Sequence, residues 1–418
     1  MNDTNEQLDE CLKSVDDVAK ISLYDDSESG SQNQILMISV TEYCKAPEGH
    51  YVYTIVTKTN LSHFNKKEMT VKRRFSDFLG LYEKLFKRNA HRGIIIPIPP
   101  EKNYINSTFI KLSKENNTSN MMGISNQSEF LEHRRVELER FLDRLSKHSI
   151  LKNDPALQEF LEFEGTLAKA TSTQIFSKSS AINFMKSFGN TFKNISFQMD
   201  EEDPYFLNKV DELDAWEKQL ANLASVASVL CDNHQSLANE VVNLQKSLGD
   251  LSEDEDDEDS IRLFKQLSQL YEQIAEYFHI KAQAETIYVL DAFRDFLKMI
   301  TSSKNALTQR EKIYRTWREN ESSLNSKRIE KAKAELAMKE PAYISQLSEQ
   351  ICEIEQLVDQ NKESFNEISK NLKKEFENFD SYRFNELKSS FVNYLNIMVK
   401  VHKDSQQLWA SYLEQAQA

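Results

Sequence analysis

Lys72-Arg73-Arg74-Phe75-Ser76-Asp77-Phe78 is the short run whose residue types most narrow the chemistry. A guanidinium presents a planar fork of donors that matches a phosphate in two bonds at once. An aromatic ring beside it offers a flat apolar floor for a sugar ring. Together the two grip a phosphorylated ring from its edge and its face. Such a pocket needs further cations for the remaining oxygens. Lys102, after a proline-rich segment, and Arg134 or Arg135, at the start of a helical pattern, are placed to supply them.

The elements around these residues follow from pattern. Ile35–Val40 and Tyr51–Thr57 are β-rich runs separated by Pro47 and Gly49, which predicts a hairpin. A third strand is predicted over 68–75. A short helix follows from Asp77 through Phe78, Leu81, Tyr82 and Leu85. Ile94-Ile95-Ile96-Pro97-Ile98-Pro99-Pro100-Glu101-Lys102 carries prolines that fit neither a helix nor a central strand, so it reads as polyproline II. Residues 103–127 are polar and irregular, with Met121 and Met122 at the tip. A helix over 128–147 puts Phe130, Leu131, Leu138, Phe141 and Leu145 on one face, and Asp154-Pro155 opens one more. Residues 34–165 therefore form an α+β domain, a three-stranded antiparallel sheet plus helices.

Residues 1–33 hold nine acids against Lys13 and Lys20 and read as a disordered acidic tail, the reverse of a signal or transit peptide. Residues 166–202 form a linker. In it Phe184, Phe188, Phe192, Ile195 and Met199 recur at steps of 4, 4, 3 and 4 beside Lys186 and Lys193. That is an amphipathic helix, suited to burial against protein or to a membrane interface.

From 203 to 418 the only breakers are Pro204, Gly249 and Pro341, which predicts long helices. In the first, Phe206, Val210, Leu213, Leu220, Leu223, Ala227, Leu230, Leu237, Val241, Leu244 and Leu248 fit one stripe, ending at Gly249 before the acidic run 253–259. The second is expected over about 260–337, roughly 117 Å at 1.5 Å per residue. The third repeats Leu347, Ile351, Ile354, Val358, Asn361, Phe365, Ile368 and Leu372 at steps of 4 and 3, a coiled-coil seam with one polar interruption. Helices this long need partners along their length, and a dimeric three-helix bundle supplies them.

Composition removes other classes. The net charge of −14 argues against nucleic acid as the main partner. No apolar run approaches the ~18 residues of a membrane span. The four cysteines (Cys11, Cys44, Cys231, Cys352) are far apart, as free thiols in a reducing cytosol would be. The eight histidines are scattered, His234 on the first helical stripe reads as a packed residue, and no nucleotide, hydrolase or zinc motif occurs. No enzyme, cofactor or metal site is expected. One region departs from the acidic average: residues 304–339 hold ten basic residues against five acids, among them Lys327, Arg328, Lys331 and Lys333.

Arg73–Leu85, Pro97–Lys102 and Glu129–Arg135 together resemble a phox-homology (PX) domain, in wording similar to the sorting nexins that partner retromer. Phe391-Val392-Asn393-Tyr394-Leu395 and Gln406-Gln407-Leu408-Trp409 resemble the closing helix of their BAR domain. The resemblance covers about 34–418. It implies that Arg74 binds the 3-phosphate of phosphatidylinositol 3-phosphate, Phe75 stacks under the inositol, Lys102 meets the 1-phosphate and Arg134 the 4- and 5-hydroxyls. It implies that Arg73 braces the fold. The 103–127 stretch, where the family carries a membrane-insertion loop, is longer and richer in Asn than the pattern. The turn before Pro341 would lie at the tip of a BAR dimer, with Lys327, Arg328, Lys331 and Lys333 against lipid. The implied function is curvature sensing and tubulation in retromer-linked retrograde transport, peripheral on early endosomes. The implied partners are a homo- or heterotypic sorting nexin and the retromer cargo-recognition subunits. Two alternatives stay open: a PX domain used as a protein or cargo module, and a dimeric helical scaffold without bending.

Overall fold

Alternation of apolar and polar residues folds the first part of the chain into a sheet. The computed structural model describes residues 35–100, 125–167 and 203–417, the side chains of 125–130, 416 and 417 excepted. Strands β1 (Leu36–Lys45), β2 (Tyr51–Thr59) and β3 (Glu68–Arg74) form an antiparallel sheet in the order β1-β2-β3. Tyr53 pairs with Arg73 and Val52 with Arg74, so the pair of arginines ends the sheet. The register of β1 shifts between Val40 and Glu42. This bulge frees the Val40 carbonyl, which accepts from Arg135.

Helix α1 (Phe75–Asn89) follows β3 directly, so the strand ends one residue before the expected 75 and the helix starts two before Asp77. The cause is local. Asp77 accepts from the Arg74 backbone N–H at 3.0 Å and caps the helix there. Helix α2 (Ser125–Lys147) buries Leu131, Leu138, Phe141 and Leu145, as expected. Helix α3 (Pro155–Glu162) begins at the expected Asp-Pro, with Asp154 Oδ1 accepting from Ala156 N at 2.8 Å. Val40, Ile55, Phe78, Leu85, Leu138, Leu142, Leu157 and Phe160 form the core of the sheet and helices. Residues 94–100 adopt neither helix nor strand.

The long helices are α4 (Pro204–Asp254), α5 (Glu258–Glu285), α6 (Asp291–Leu336) and α7 (Pro341–Gln417). Three expectations are corrected. Gly249 does not end α4; the helix passes through it to Asp254. A Cβ at Gly249 would meet Ser268 Oγ at 3.5 Å, an ordinary contact, so the packing does not require glycine here, and the ~1 kcal/mol helix cost of Gly is too small to end a helix packed along its length. The expected 260–337 helix carries a π turn at Thr286–Leu290, where Ser390 Oγ bonds the Tyr288 carbonyl at 2.8 Å. The apolar stripe of α4 divides. Leu213, Leu220, Ala227 and Cys231 are buried, whereas Leu223, Leu230, Leu237, Leu244 and Leu251 recur every seven residues and are each 44–46% exposed.

The chain forms two compact units. In one, comprising 211–297 and 378–417 among its described parts, Phe296 stacks on Phe379 with planes 7° apart and lies edge-on to Trp216. His234 is a packed residue, bonded to buried Glu285, which also accepts from Tyr394 at 3.2 Å. Burial pushes the Tyr394 phenol up to about 12 and the Cys231 thiol up to about 11. The other unit joins the sheet and α1–α3 to residues 298–377. There the α7 seam points inward, with Leu347, Ile368 and Leu372 buried.

The basic run 304–339 is not one solvated face. Lys304 and Arg310 are buried. Arg310 lies 3.7 Å from the Phe206 ring and 4.6 Å from that of Phe365, and donates to Ser369 Oγ at 2.8 Å. A guanidinium, less strongly hydrated than an ammonium, is suited to this aromatic sandwich, so sequence charge overstates surface charge.

Candidate phosphate-binding pocket

Strand β3 alternates its side chains between two faces, so Arg73 and Arg74 have different fates. Arg73 is 1% exposed. It donates from Nε to Phe160 O at 2.9 Å and from Nη1 to Lys72 O and Gly165 O at 3.1 and 3.3 Å, and it bonds Phe163 O through Nη2. Its guanidinium sits 5.4 Å from the Phe160 ring. Burial lowers its pKa from the ordinary arginine value. Arg73 therefore spends its donors tying β3 to the end of α3, the bracing role expected of it.

Arg74 is half-buried and turned by Asp77, whose Oδ1 accepts from Nε at 3.1 Å. One carboxylate thus caps α1 and fixes the arginine. Among the described residues, Nη1 and Nη2 of Arg74 bond no protein group. Phe75, the first residue of α1, packs its inner edge on the core. Arg134 of α2 lays its guanidinium over the Phe75 ring at 4.7 Å. Burial lowers the Arg134 pKa, and Tyr53 beside it works the other way. Arg135 points elsewhere, to Glu132, Glu139 and the β1 bulge.

Phe75 and Arg134 are thus brought together from segments some sixty residues apart, with Arg74 the residue next to Phe75 in the chain. Lys102 lies outside the described residues, as do Phe184, Lys186, Phe188, Phe192, Lys193, Met121 and Met122. Near the α6–α7 turn, Lys327 pairs with Glu330 at 3.0 Å, Arg328 with Glu355 at 2.7 Å and Lys331 with Glu335 at 3.8 Å, while Lys333 is exposed. Sequence reasoning missed Asp77 as the residue that orients Arg74. Its place three residues on, at a helix start, was the available signal.

A family model described as Vps5 C terminal like matches residues 181–415, more than half of the chain, and a PX domain model matches residues 61–164. The chain belongs to the sorting nexins. Sorting nexin-1 of Macaca fascicularis is 31% identical to this sorting nexin over 386 residues, 92% of this chain and 72% of that one. Sorting nexin-2 of Bos taurus is 32% identical over 385 residues, 91% and 72% of the two chains. The cryo-EM structure of the SNX-BAR Mvp1 tetramer superposes with a TM-score of 0.58 at 18% identity, over 90% of this sorting nexin and 99% of that chain, a likeness of fold. The PX model starts at 61, yet β1 and β2 pair in the same sheet as β3. The family consists of membrane-associated sorting adaptors and scaffolds that are not enzymes. Among the described residues no helix is long and apolar enough to cross a membrane.

Proposed function

We propose that this sorting nexin reads phosphatidylinositol 3-phosphate on early endosomes and dimerises there to sense or impose curvature in retromer-linked retrograde transport. The observation that carries the reading is the Arg134 guanidinium over Phe75, beside an Arg74 held by Asp77 with its two terminal nitrogens turned from any described protein partner. In this reading Arg74 takes the 3-phosphate, Phe75 faces the inositol, Arg134 takes the 4- and 5-hydroxyls and Lys102 the 1-phosphate. The linker sequence with Phe184, Phe188, Phe192, Lys186 and Lys193 would add apolar anchoring as an amphipathic segment. Lys327, Arg328, Lys331 and Lys333 add attraction to anionic lipid, each worth about 1 kcal/mol near such a surface. The ion pairs of the first three are exposed and weak, so lipid phosphates compete for these cations. Several weak contacts on one particle multiply into avidity. The partner is a sorting nexin, the same chain or a relative, and the retromer cargo-recognition subunits are the onward contact.

Flotation with liposomes that differ only in 3-phosphorylated lipid tests the address. Binding that requires the lipid and is lost in Arg74→Ala is expected. Equal flotation of parent and variant, indifferent to the 3-phosphate, would overturn the pocket assignment.

A further inference from the structure

Arg134 has a competitor on its own helix. Glu137 lies three residues further along α2, the spacing at which a cation and a carboxylate meet across one turn. Its side chain is only 11% exposed, and a carboxylate so covered demands charged partners. A guanidinium suits a carboxylate better than it suits an aromatic face, because it offers two parallel charge-assisted bonds. An unsatisfied Glu137 would therefore draw Arg134 away from Phe75. Yet Arg134 is found over the ring, 4.7 Å away.

The carboxylate is satisfied from elsewhere. Lys298, near the start of α6 and 161 residues away, donates to Glu137 Oε1. It is itself only 18% exposed. His133 Nδ1 approaches Oε2 at 3.6 Å. The ammonium thus occupies the acid that would otherwise compete for the pocket arginine. This contact belongs to a wider docking of the sheet-bearing part on residues 298–377 of the same unit. Asn371 donates to Arg92 O at 2.9 Å, and Glu375 accepts from Ile95 N at 3.1 Å and meets His148 Nε2 at 3.0 Å.

We propose that Lys298 is a positioning residue for headgroup binding: by neutralising Glu137 it leaves Arg134 over Phe75, and it makes the pocket's affinity depend on the docked α6. This rests on the headgroup reading above and specifies how that site is controlled.

Titration calorimetry of the full chain with soluble short-chain phosphatidylinositol 3-phosphate tests it. Lys298→Met should weaken binding about tenfold, the scale of coupling between contacting charges. Lys298→Arg, which keeps the charge, should bind as the parent does. The decisive variant is Glu137→Gln with Lys298→Met. Removing the competing acid should return the affinity to within about twofold of the parent, although no ion pair has been rebuilt. A purely structural lysine would give no such restoration. Unchanged affinity in Lys298→Met, or a loss that Glu137→Gln fails to restore, overturns the proposal. Should Lys298→Met not fold, Glu137→Gln alone decides, because it must bind at least as tightly as the parent and weaker binding refutes the competition. Arg74→Ala run in parallel separates the two levels. Loss in Arg74→Ala with none in Lys298→Met sinks only the control by Lys298. Parent-like binding in Arg74→Ala sinks the headgroup reading and this inference with it.

Discussion

Two adjacent arginines meet different fates at the scale of single residues. Arg73 donates to the carbonyls of Phe160, Phe163 and Gly165 from a buried position. Arg73→Met would strand those acceptors and is expected to cost about 3 kcal/mol, read as a lower midpoint in urea unfolding. Arg74 is half-buried and makes one partly buried ion pair, to Asp77. Arg74→Ala is expected to cost under about 1 kcal/mol in the same unfolding experiment while removing headgroup binding. The opposite pattern would mean that the roles are exchanged. The sequence offered the dipeptide as a candidate phosphate grip. Its division of labour was not derivable from the residues alone, where nothing distinguishes two neighbouring guanidinium groups. The resemblance supplied that division, and the alternation of β3 with the carbonyls at the end of α3 explains it.

At the scale of elements, the decisive contacts are between the turn that follows α1 and helix α7. Gly93 has φ +80°, and a Cβ there would stand 2.7 Å from the Ile368 carbonyl and 3.3 Å from Leu372. The backbone conformation and the lack of space both exclude a side chain. Gly93→Ala is expected to lower Tm, at a cost of about 2 kcal/mol, and to raise amide exchange in residues 94–100, checked by hydrogen-exchange mass spectrometry. Unchanged exchange there would show that this close approach does not brace the segment leading to Lys102. The elements themselves were largely readable. Strand alternation, Asp154-Pro155 at the start of α3 and the seam of α7 each write a period or a cap into the chain. Gly249 misled because helix propensity is weak against packing, and the π turn at 286–290 leaves no mark in the spacing of apolar residues.

Whole-molecule behaviour turns on the surface that α4 leaves uncovered. Leucines at 223, 230, 237, 244 and 251 stand half-exposed at intervals of seven, the repeat of a helix seam seeking a partner. Leu230→Glu combined with Leu237→Glu is expected to turn a dimer into a monomer in sedimentation velocity and to weaken liposome binding through lost avidity. A parent that sediments as a monomer at micromolar concentration would refute the assembly, and a double variant that remains dimeric would move the interface elsewhere.

The sequence by itself determined the class of this protein: an α+β PX domain followed by long helices, in the pattern of a sorting nexin. Those features rest on local periods, caps and short motifs, which neighbouring residues encode. Only the tertiary structure decided which charges are spent inside. Lys304 and Arg310 count as surface charge in the sequence yet are buried, and Glu137 reads as an ordinary acid until Lys298 arrives beside it. The physical reason is that the energy of a charge depends on its burial and its partners. Those partners are brought in from more than fifty residues away, a distance no local pattern spans.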